Sequence, residues 1–374
     1  MESMETTHVT TRQPPEVRHS RSRGRAPSVL LAGKLDAMIA PGGGEIQLAA
    51  MAEALPAVGV DARRWRPWEE SFAAADVLHL FGSVPEHLPL VEAARRQGVA
   101  VVLSPIAWFA LADAWRQPRP IGGRLAACGR FAARAACPRL PSWRRRLYHA
   151  VDRLLPNSRA EVRQLTHYFQ VPPERIHVVS NGADERFADA DAEAFVDAFG
   201  LRDFVLYVGR IEPRKNQLGF LRAMRGSGLP LVVLGDVVPG HEAYLAACRD
   251  AADANVHFLP RLEHDDPRLA GAYAACTCLA LASWFETPGL VALEAGMSGT
   301  PLVLPEGGCA REYFGPMAEY VKPNDLSGIR RAVLAAMGRP RDPGLAEHVR
   351  EHCSWHAAAE ATKAAYAKVL RAEC

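Results

Sequence analysis

Apolar residues in this chain gather in short runs, separated by longer segments in which they recur every third or fourth position. The runs at residues 28–31 (SVLL), 76–81 (DVLHLF), 99–103 (VAVVL), 204–208 (FVLYV), 231–235 (LVVLG), 256–259 (VHFL), 276–282 (CTCLALA) and 301–304 (PLVL) predict strands. Residues 46–55, 89–97 and the segment after Ser158 carry the helical period instead. Strands that are apolar throughout are buried on both faces, and their alternation with helices predicts parallel sheets covered on both sides. Ser158 and Glu161, in S-x-x-E order, predict a capping box with a structural role.

At 374 residues the chain exceeds one ordinary core and predicts two domains. The acidic stretch 184–197 reads as the connection between them, with a lead-in helix. Residues 1–27, rich in Thr, Arg, Pro and Ser, mix acids with bases and lack an apolar h-region, so they read as a disordered tail and not a signal peptide. No apolar run reaches the roughly 20 residues of a membrane span.

Composition changes this picture little. Hydrophobic residues make up 49% and charged residues 23%, and the net charge of +2 is too small to argue for nucleic acid. Eight cysteines are scattered, and Cys276-x-Cys278 matches no common zinc spacing, which fits thiols in a reducing cytoplasm.

Candidate chemistry concentrates in residues 283–312. Glu286 and Glu294 stand eight apart across Thr287, Pro288 and Gly289, which read as a helix start with Thr287 as N-cap and Pro288 at the first helical position. Glu286 then lies just outside the helix and Glu294 two turns inside it. A helix N-terminus offers unpaired N–H groups and partial positive charge to a phosphate. Pro288 has no donor, so Gly289, Leu290 and Val291 must supply them. A second glycine pair, Gly307 and Gly308, follows the 301–304 strand and permits close backbone approach to a ligand.

Three other loops follow strands. Gly42, Gly43, Gly44 and Glu45 precede a helical segment, but no G-x-G-x-x-G directly after a strand and no P-loop occurs, which argues against dehydrogenase and P-loop chemistry. Alone, the three glycines suit a flexible loop. Ser104, Pro105, Ile106 and Trp108 lie at the carboxyl end of a strand, where open α/β sheets bind ligands. Residues 209–216, GRIEPRKN, carry Arg210 and Lys215, surface charges unless a phosphate engages them.

The segment ETPGLVALEA, Glu286 to Ala295, resembles the E-x-F-G-L-V-x-L-E-A signature of retaining, nucleotide-sugar-dependent glycosyltransferases of the GT-B fold, the group four class also called glycosyl transferases group 1. Pro288 replaces the usual Phe. The 209–216 loop resembles the family's G-R-x-x-x-x-K-G, with Asn216 where Gly is usual, and 176–184 (IHVVSNGAD) resembles the strand and turn that close the family's first domain. The resemblance covers nearly the whole chain after the tail. It implies two Rossmann-like domains facing across a cleft: an acceptor domain at 28–182, a donor domain at 183–355, and a helix at 356–374 returning to the first domain.

The family's pattern also implies roles. Arg210 and Lys215 would grip the donor diphosphate, where a charge-assisted hydrogen bond is worth about 1.5 to 3 kcal/mol against about 0 to 1 for an exposed ion pair. Gly43 and Gly44 would face the donor phosphates, Arg261 and Leu262 would line the base pocket, and Glu294 would bind the ribose hydroxyls. Glu286 would serve the sugar side as a hydroxyl anchor or by stabilising oxocarbenium character. A helix-end charge is the bland alternative for either acid. Many family members carry a His near residue 104, and here Ser104 and Trp108 would substitute on the acceptor side, unless Trp108 is structural. With Glu286, Arg210 and Lys215 as the catalytic set, two fixed cations stabilise the leaving group and neither metal nor cofactor is needed.

Residues 116–146 hold nine arginines and no acid, interleaved with Leu125, Phe131 and Trp143. Such a stretch suits a solvated face, a groove for an anionic acceptor, or an anionic membrane surface and a lipid-linked saccharide acceptor. The resulting expectation is a cytoplasmic enzyme, free or peripheral on the membrane, moving a sugar from a nucleotide-diphosphate sugar to an acceptor hydroxyl, in polysaccharide or glycolipid synthesis. A sugar-nucleotide epimerase, a phosphorylase and a noncatalytic nucleotide-sugar-binding protein remain as alternatives.

Overall fold

The computed structural model describes residues 25–34, 42–111, 115 and 121–372. The expected N-terminal tail lies outside the described residues up to residue 24, and so do residues 116–120 of the arginine-rich stretch.

The first domain is built on β1 (Ser28–Ala32), β2 (Asp61–Arg64), β3 (Val77–Phe81), β4 (Ala100–Ser104) and β5 (Arg153–Leu154), paired in parallel in the order β2-β1-β3-β4-β5. Every residue of β1, β3 and β4 is buried, as their largely apolar sequences require, and the polar Ser28, His79 and Ser104 are buried with the rest. The helices are α1 (Gly43–Ala57), α2 (His87–Arg96), α3 (Ile121–Ala136), α4 (Trp143–Ala150) and α5 (Arg159–Phe169). β2, sequence DARR, gives no apolar signal because it is the sheet's exposed edge, where charge deters pairing with another chain.

The second domain carries β6 (Val205–Val208), β7 (Leu231–Leu234), β8 (Val256–Leu259), β9 (Cys278–Ala280), β10 (Leu302–Pro305) and β11 (Ala318–Val321), parallel in the order β11-β10-β9-β6-β7-β8. Its helices are α6 (Glu193–Phe199), α7 (Gln217–Met224), α8 (Glu242–Ala251), α9 (Pro267–Ala275), α10 (Leu290–Met297), α11 (Ala310–Phe314), α12 (Leu326–Met337) and α13 (Pro343–His352). The order reverses between β6 and β9, which makes their carboxyl ends the topological switch point where such sheets hold ligands.

The chain crosses between the domains twice, side by side. Ala183 forms a parallel bridge with Ser354, and its amide donates to Cys353 O at 2.8 Å. Gly182 packs so tightly there that a Cβ would lie 2.4 Å from the Ser354 carbonyl carbon. α14 (Trp355–Ala372) then returns to the first domain and packs on α1. Its Tyr366 hydroxyl lies 2.7 Å from Nδ1 of the buried His79 on β3.

Candidate functional site

The switch point brings the loops after β6 and β9 into contact. The Trp284 amide donates to Arg214 O at 3.1 Å, and Lys215 Nζ meets Glu286 Oε1 at 2.7 Å. The Tyr207 hydroxyl, rising from β6, bonds to Lys215 O. Ser283 Oγ donates to the same Glu286 oxygen at 2.6 Å. Burial pushes the Glu286 carboxyl up, but Lys215 and Arg214 together outweigh it and hold the group below the usual carboxylate range. Burial acts against the Lys215 ammonium, with the Glu286 carboxylate opposing that effect. We read the pair as ionised, because the contact is short and both cations flank the carboxylate.

Arg210 stays 41% exposed, 3.5 Å from Glu212 Oε1. It points across the cleft: a Cβ built on Gly42 would stand 3.5 Å from Arg210 Nη1, and one on Gly43 3.8 Å from Leu290 Cδ1. The three glycines are not a loop ahead of a helix. Gly42 is the N-cap of α1, Gly43 and Gly44 form its first turn, and Glu45 Oε2 folds back onto the Gly42 amide at 2.8 Å. Asn216 occupies the left-handed region, φ 58° and ψ 33°, a conformation that glycine adopts freely and Asn tolerates. Its side-chain amide bonds to Ala282 O and Pro323 O, both at 2.9 Å, which glycine would not do.

The helix that follows Glu286 starts later than its sequence predicts. α10 begins at Leu290 with Gly289 as N-cap at φ 89°, so Thr287 is not the cap, Pro288 lies outside the helix, and Glu294 is its fifth residue rather than two turns inside. The preceding residues are drawn into another pairing. The Glu286 amide donates to Gly307 O at 3.1 Å, and the Cys309 amide donates to Glu286 O at 3.0 Å. Gly307 and Gly308 therefore approach backbone: a Cβ on Gly308, at φ 104°, would lie 1.9 Å from Glu286 O.

Glu294 is buried, accepts from the Tyr273 hydroxyl at 2.5 Å and lies 3.6 Å from His264 Nδ1. Burial pushes its carboxyl up to about 7. Leu262 is buried, while Arg261 turns to Glu263 at 2.9 Å and donates its amide to Asp236 at 3.1 Å.

On the first domain's side, Ser104, expected on the acceptor side, is buried and its hydroxyl lies 2.9 Å from His79 Nε2. Burial lowers the His79 pKa to about 3, so it is neutral. Trp108 does reach across, stacking on Phe285 at 6.1 Å between ring centroids and 21° between planes, with Arg214 over the same Phe285 ring at 5.3 Å. Between them Ile106 holds φ 47°, a conformation that costs a β-branched residue on the order of 1–3 kcal/mol and must be held by its surroundings.

Residues that the sequence does not single out fasten the domains together. Glu312 of α11 accepts from the Arg159 and Ala160 amides at 2.6 and 3.1 Å, capping α5 from the other domain. The Tyr313 hydroxyl donates to Asn157 O at 2.6 Å and accepts from the Asn181 amide at 3.0 Å. The S-x-x-E box forms only in half: Ser158 accepts from the Glu161 amide at 3.1 Å, but the Glu161 carboxylate bonds elsewhere. Among the described residues, no three His, Cys, Asp or Glu side chains group to hold a metal.

Residues 192–347 match the sequence model of the family described as glycosyl transferases group 1, and residues 41–187 that of glycosyltransferase family 4. The D-inositol 3-phosphate glycosyltransferase of Mycolicibacterium vanbaalenii is 31% identical over 295 residues, 71% of this chain and 64% of that protein. The chain spans under two thirds of the length of the curated relatives it matches. The sucrose-phosphate synthase of Thermosynechococcus elongatus superposes with a TM-score of 0.73 at 18% identity, covering 93% of this chain and all (100%) of that one. Anabaena Alr3699/HepE, solved in complex with UDP-glucose, gives 0.59 at 16% identity, covering 92% and 98%. At these identities the likeness to the solved structures is one of fold, the two-lobed GT-B architecture.

Proposed function

The chain belongs to the group 1 glycosyltransferases of the GT-B fold, and on that premise we propose that it transfers a sugar from a nucleotide-diphosphate sugar to an acceptor hydroxyl with retention at the anomeric carbon. The observation that carries this reading is the 2.7 Å meeting of Lys215 and Glu286 at the switch point, beside the start of α10 and on the same loop as Arg210, which reaches the first turn of α1. Breaking the glycosyl–phosphate bond leaves negative charge on the diphosphate. Lys215, Arg210 and the α10 amides are fixed where that charge develops, so stabilising it requires little reorganisation. No metal or cofactor has a part in this scheme.

Glu286 serves the sugar side. One of its oxygens is held by Lys215 and Ser283, which suits a rigid anchor for a sugar hydroxyl or for oxocarbenium character better than a mobile nucleophile. Glu294 would take the ribose hydroxyls as a two-oxygen acceptor, with Tyr273 orienting it. The relatives' names and the UDP-glucose complex of the Anabaena protein favour a uridine diphosphate sugar and a phosphorylated polyol as first choices. A thermal-shift screen of uridine, guanosine and adenosine diphosphate sugars, followed by acceptor-dependent release of the nucleoside diphosphate, tests the reading. No shift with any donor would end it.

The acceptor side supports a finer statement, a role in glycolipid or polysaccharide synthesis at an anionic membrane surface. α3 has no buried residue, and of the eight exposed large apolar residues among those described, Ile121, Leu125 and Leu140 lie in this arginine-rich region and Leu111 and Trp115 just before it. Each basic residue near an anionic surface contributes about 1 kcal/mol. No helix among the described residues is long and apolar enough to cross a membrane. Co-sedimentation with phosphatidylglycerol vesicles but not with phosphatidylcholine is the expected result, lost in 0.5 M salt by roughly the screening of such contacts.

A further inference from the structure

The loop leaving β4 forms the first domain's wall of the cleft, and it does not hold itself. Ile106 sits at φ 47°, and its Cδ1 would come within 3.3 Å of a Cβ on Gly44, so it presses on the first turn of α1. Trp108 stacks on Phe285. Two side chains one turn apart on α5 grip this loop from behind. The Ala107 amide donates to Glu161 Oε1 at 2.7 Å, and Gln164 exchanges two bonds with Phe109, accepting from its amide at 2.8 Å and donating to its carbonyl at 3.0 Å.

Glu161 holds more than the loop. Its other oxygen accepts the Asn157 amide at 2.9 Å, and Asn157 Nδ2 donates to Thr287 O at 3.1 Å, in the turn that leads into α10. One buried carboxylate thus has the acceptor-side wall on one oxygen and the approach to the donor-side helix on the other. Glutamine cannot replace it, because its amide nitrogen would meet one of two backbone N–H donors.

We propose that Glu161 is a positioning residue for transfer: through the Ala107 and Asn157 amides it sets the Ile106–Trp108 wall in register with the Thr287–Gly289 turn. This rests on the transferase reading above. It assigns a functional task to a side chain whose sequence context points only to a helix cap.

The test compares the full-length chain with Glu161→Gln and Gln164→Ala. Kinetics are taken at pH 8, above the value of about 7 to which burial pushes the Glu161 carboxyl. Donor and acceptor are varied separately, and hydrogen exchange is followed without ligand. Glu161→Gln should lower kcat about tenfold and raise the acceptor KM severalfold, while donor Kd stays within about twofold. Exchange should quicken at residues 105–109. Gln164→Ala, which frees the same loop but not Asn157, should raise the acceptor KM with a smaller loss of kcat. If Glu161→Gln does not fold, Gln164→Ala with an unchanged acceptor KM overturns the proposal. A lowered Tm with unchanged kinetics, or equal shifts in donor and acceptor parameters, also overturns it. If the wild-type chain releases no nucleoside diphosphate, the transferase reading fails. Unchanged exchange at 105–109 in Glu161→Gln refutes the tie itself.

Discussion

Lys215 and Glu286 stand 71 residues apart in the chain and 2.7 Å apart in the fold, and both are nearly closed to solvent. Removing one partner of a buried pair strands the other's charge, at about 3–5 kcal/mol. Lys215→Met and Glu286→Gln should each lower stability by that order, and the double variant should recover most of it without recovering donor binding. Melting curves and calorimetry with a uridine diphosphate sugar would show both. Single variants as stable as the wild type would mean that the pair is not buried as described.

Asn216→Gly suits the local backbone but deletes the bonds to Ala282 O and Pro323 O. A loss of about 1–2 kcal/mol is expected in urea denaturation. A gain would mean that backbone strain at φ 58° outweighs both bonds.

Gly308→Ala should be far worse than Gly315→Ala, although both glycines have positive φ. At 308 a Cβ collides with Glu286 O, whereas at 315 nothing lies within 4 Å. At φ 50° and ψ −123° position 315 lies outside the left-handed helical region as well, and the second substitution should cost on the order of 1–3 kcal/mol of backbone strain. The first should also displace Glu286 and abolish donor binding, so comparable melting temperatures would contradict the pairing of these segments.

Glu294 gives a pH signature. Its pKa rises from 4.5 to about 7 on folding, so between those values the folded chain binds the extra proton. Stability from this group therefore falls as pH rises across that window and is level above it. Glu294→Gln should flatten its share of the slope, and Glu161, also near 7, should account for another. Donor affinity should move oppositely, rising from pH 6 to 8, because the ionised carboxylate is the better hydroxyl acceptor. A nucleotide sugar is the right probe, since its diphosphate diester does not titrate there.

Glu312→Ala should remove the cap on α5 at a cost of about 1 kcal/mol and loosen the lobes. X-ray scattering without donor should report a larger radius of gyration than for wild type. An unchanged radius would assign domain closure to the Trp108–Phe285 stack and the Tyr313 bonds instead.

The sheets were legible because strands covered on both faces must be largely apolar, as β1, β4, β6 and β7 are. β2 escaped notice because an exposed edge needs charge, not apolar side chains. In the candidate site, Arg210, Lys215, Glu286 and Glu294 stood out through their resemblance to a family pattern, and the shift in the start of α10 did not. Thr287 and Pro288 satisfy a local rule for helix starts, but Glu286 pairs with Gly307 and Cys309, and that nonlocal ladder decides where the helix begins. Glu161 and Glu312 were hidden for the same reason. Each bonds to backbone N–H groups that a sequence does not mark, one 54 residues away and one 153.

The paired crossing at Ala183 and Ser354 limits how the lobes can part. Two adjoining segments tied by one bridge resemble two knuckles on one pin, a geometry that favours rotation about the crossing over sliding or twisting. A closing stroke about that crossing would return Arg210 to the α1 tip along the same arc, so a bound molecule would meet a reproducible jaw and not a fresh alignment.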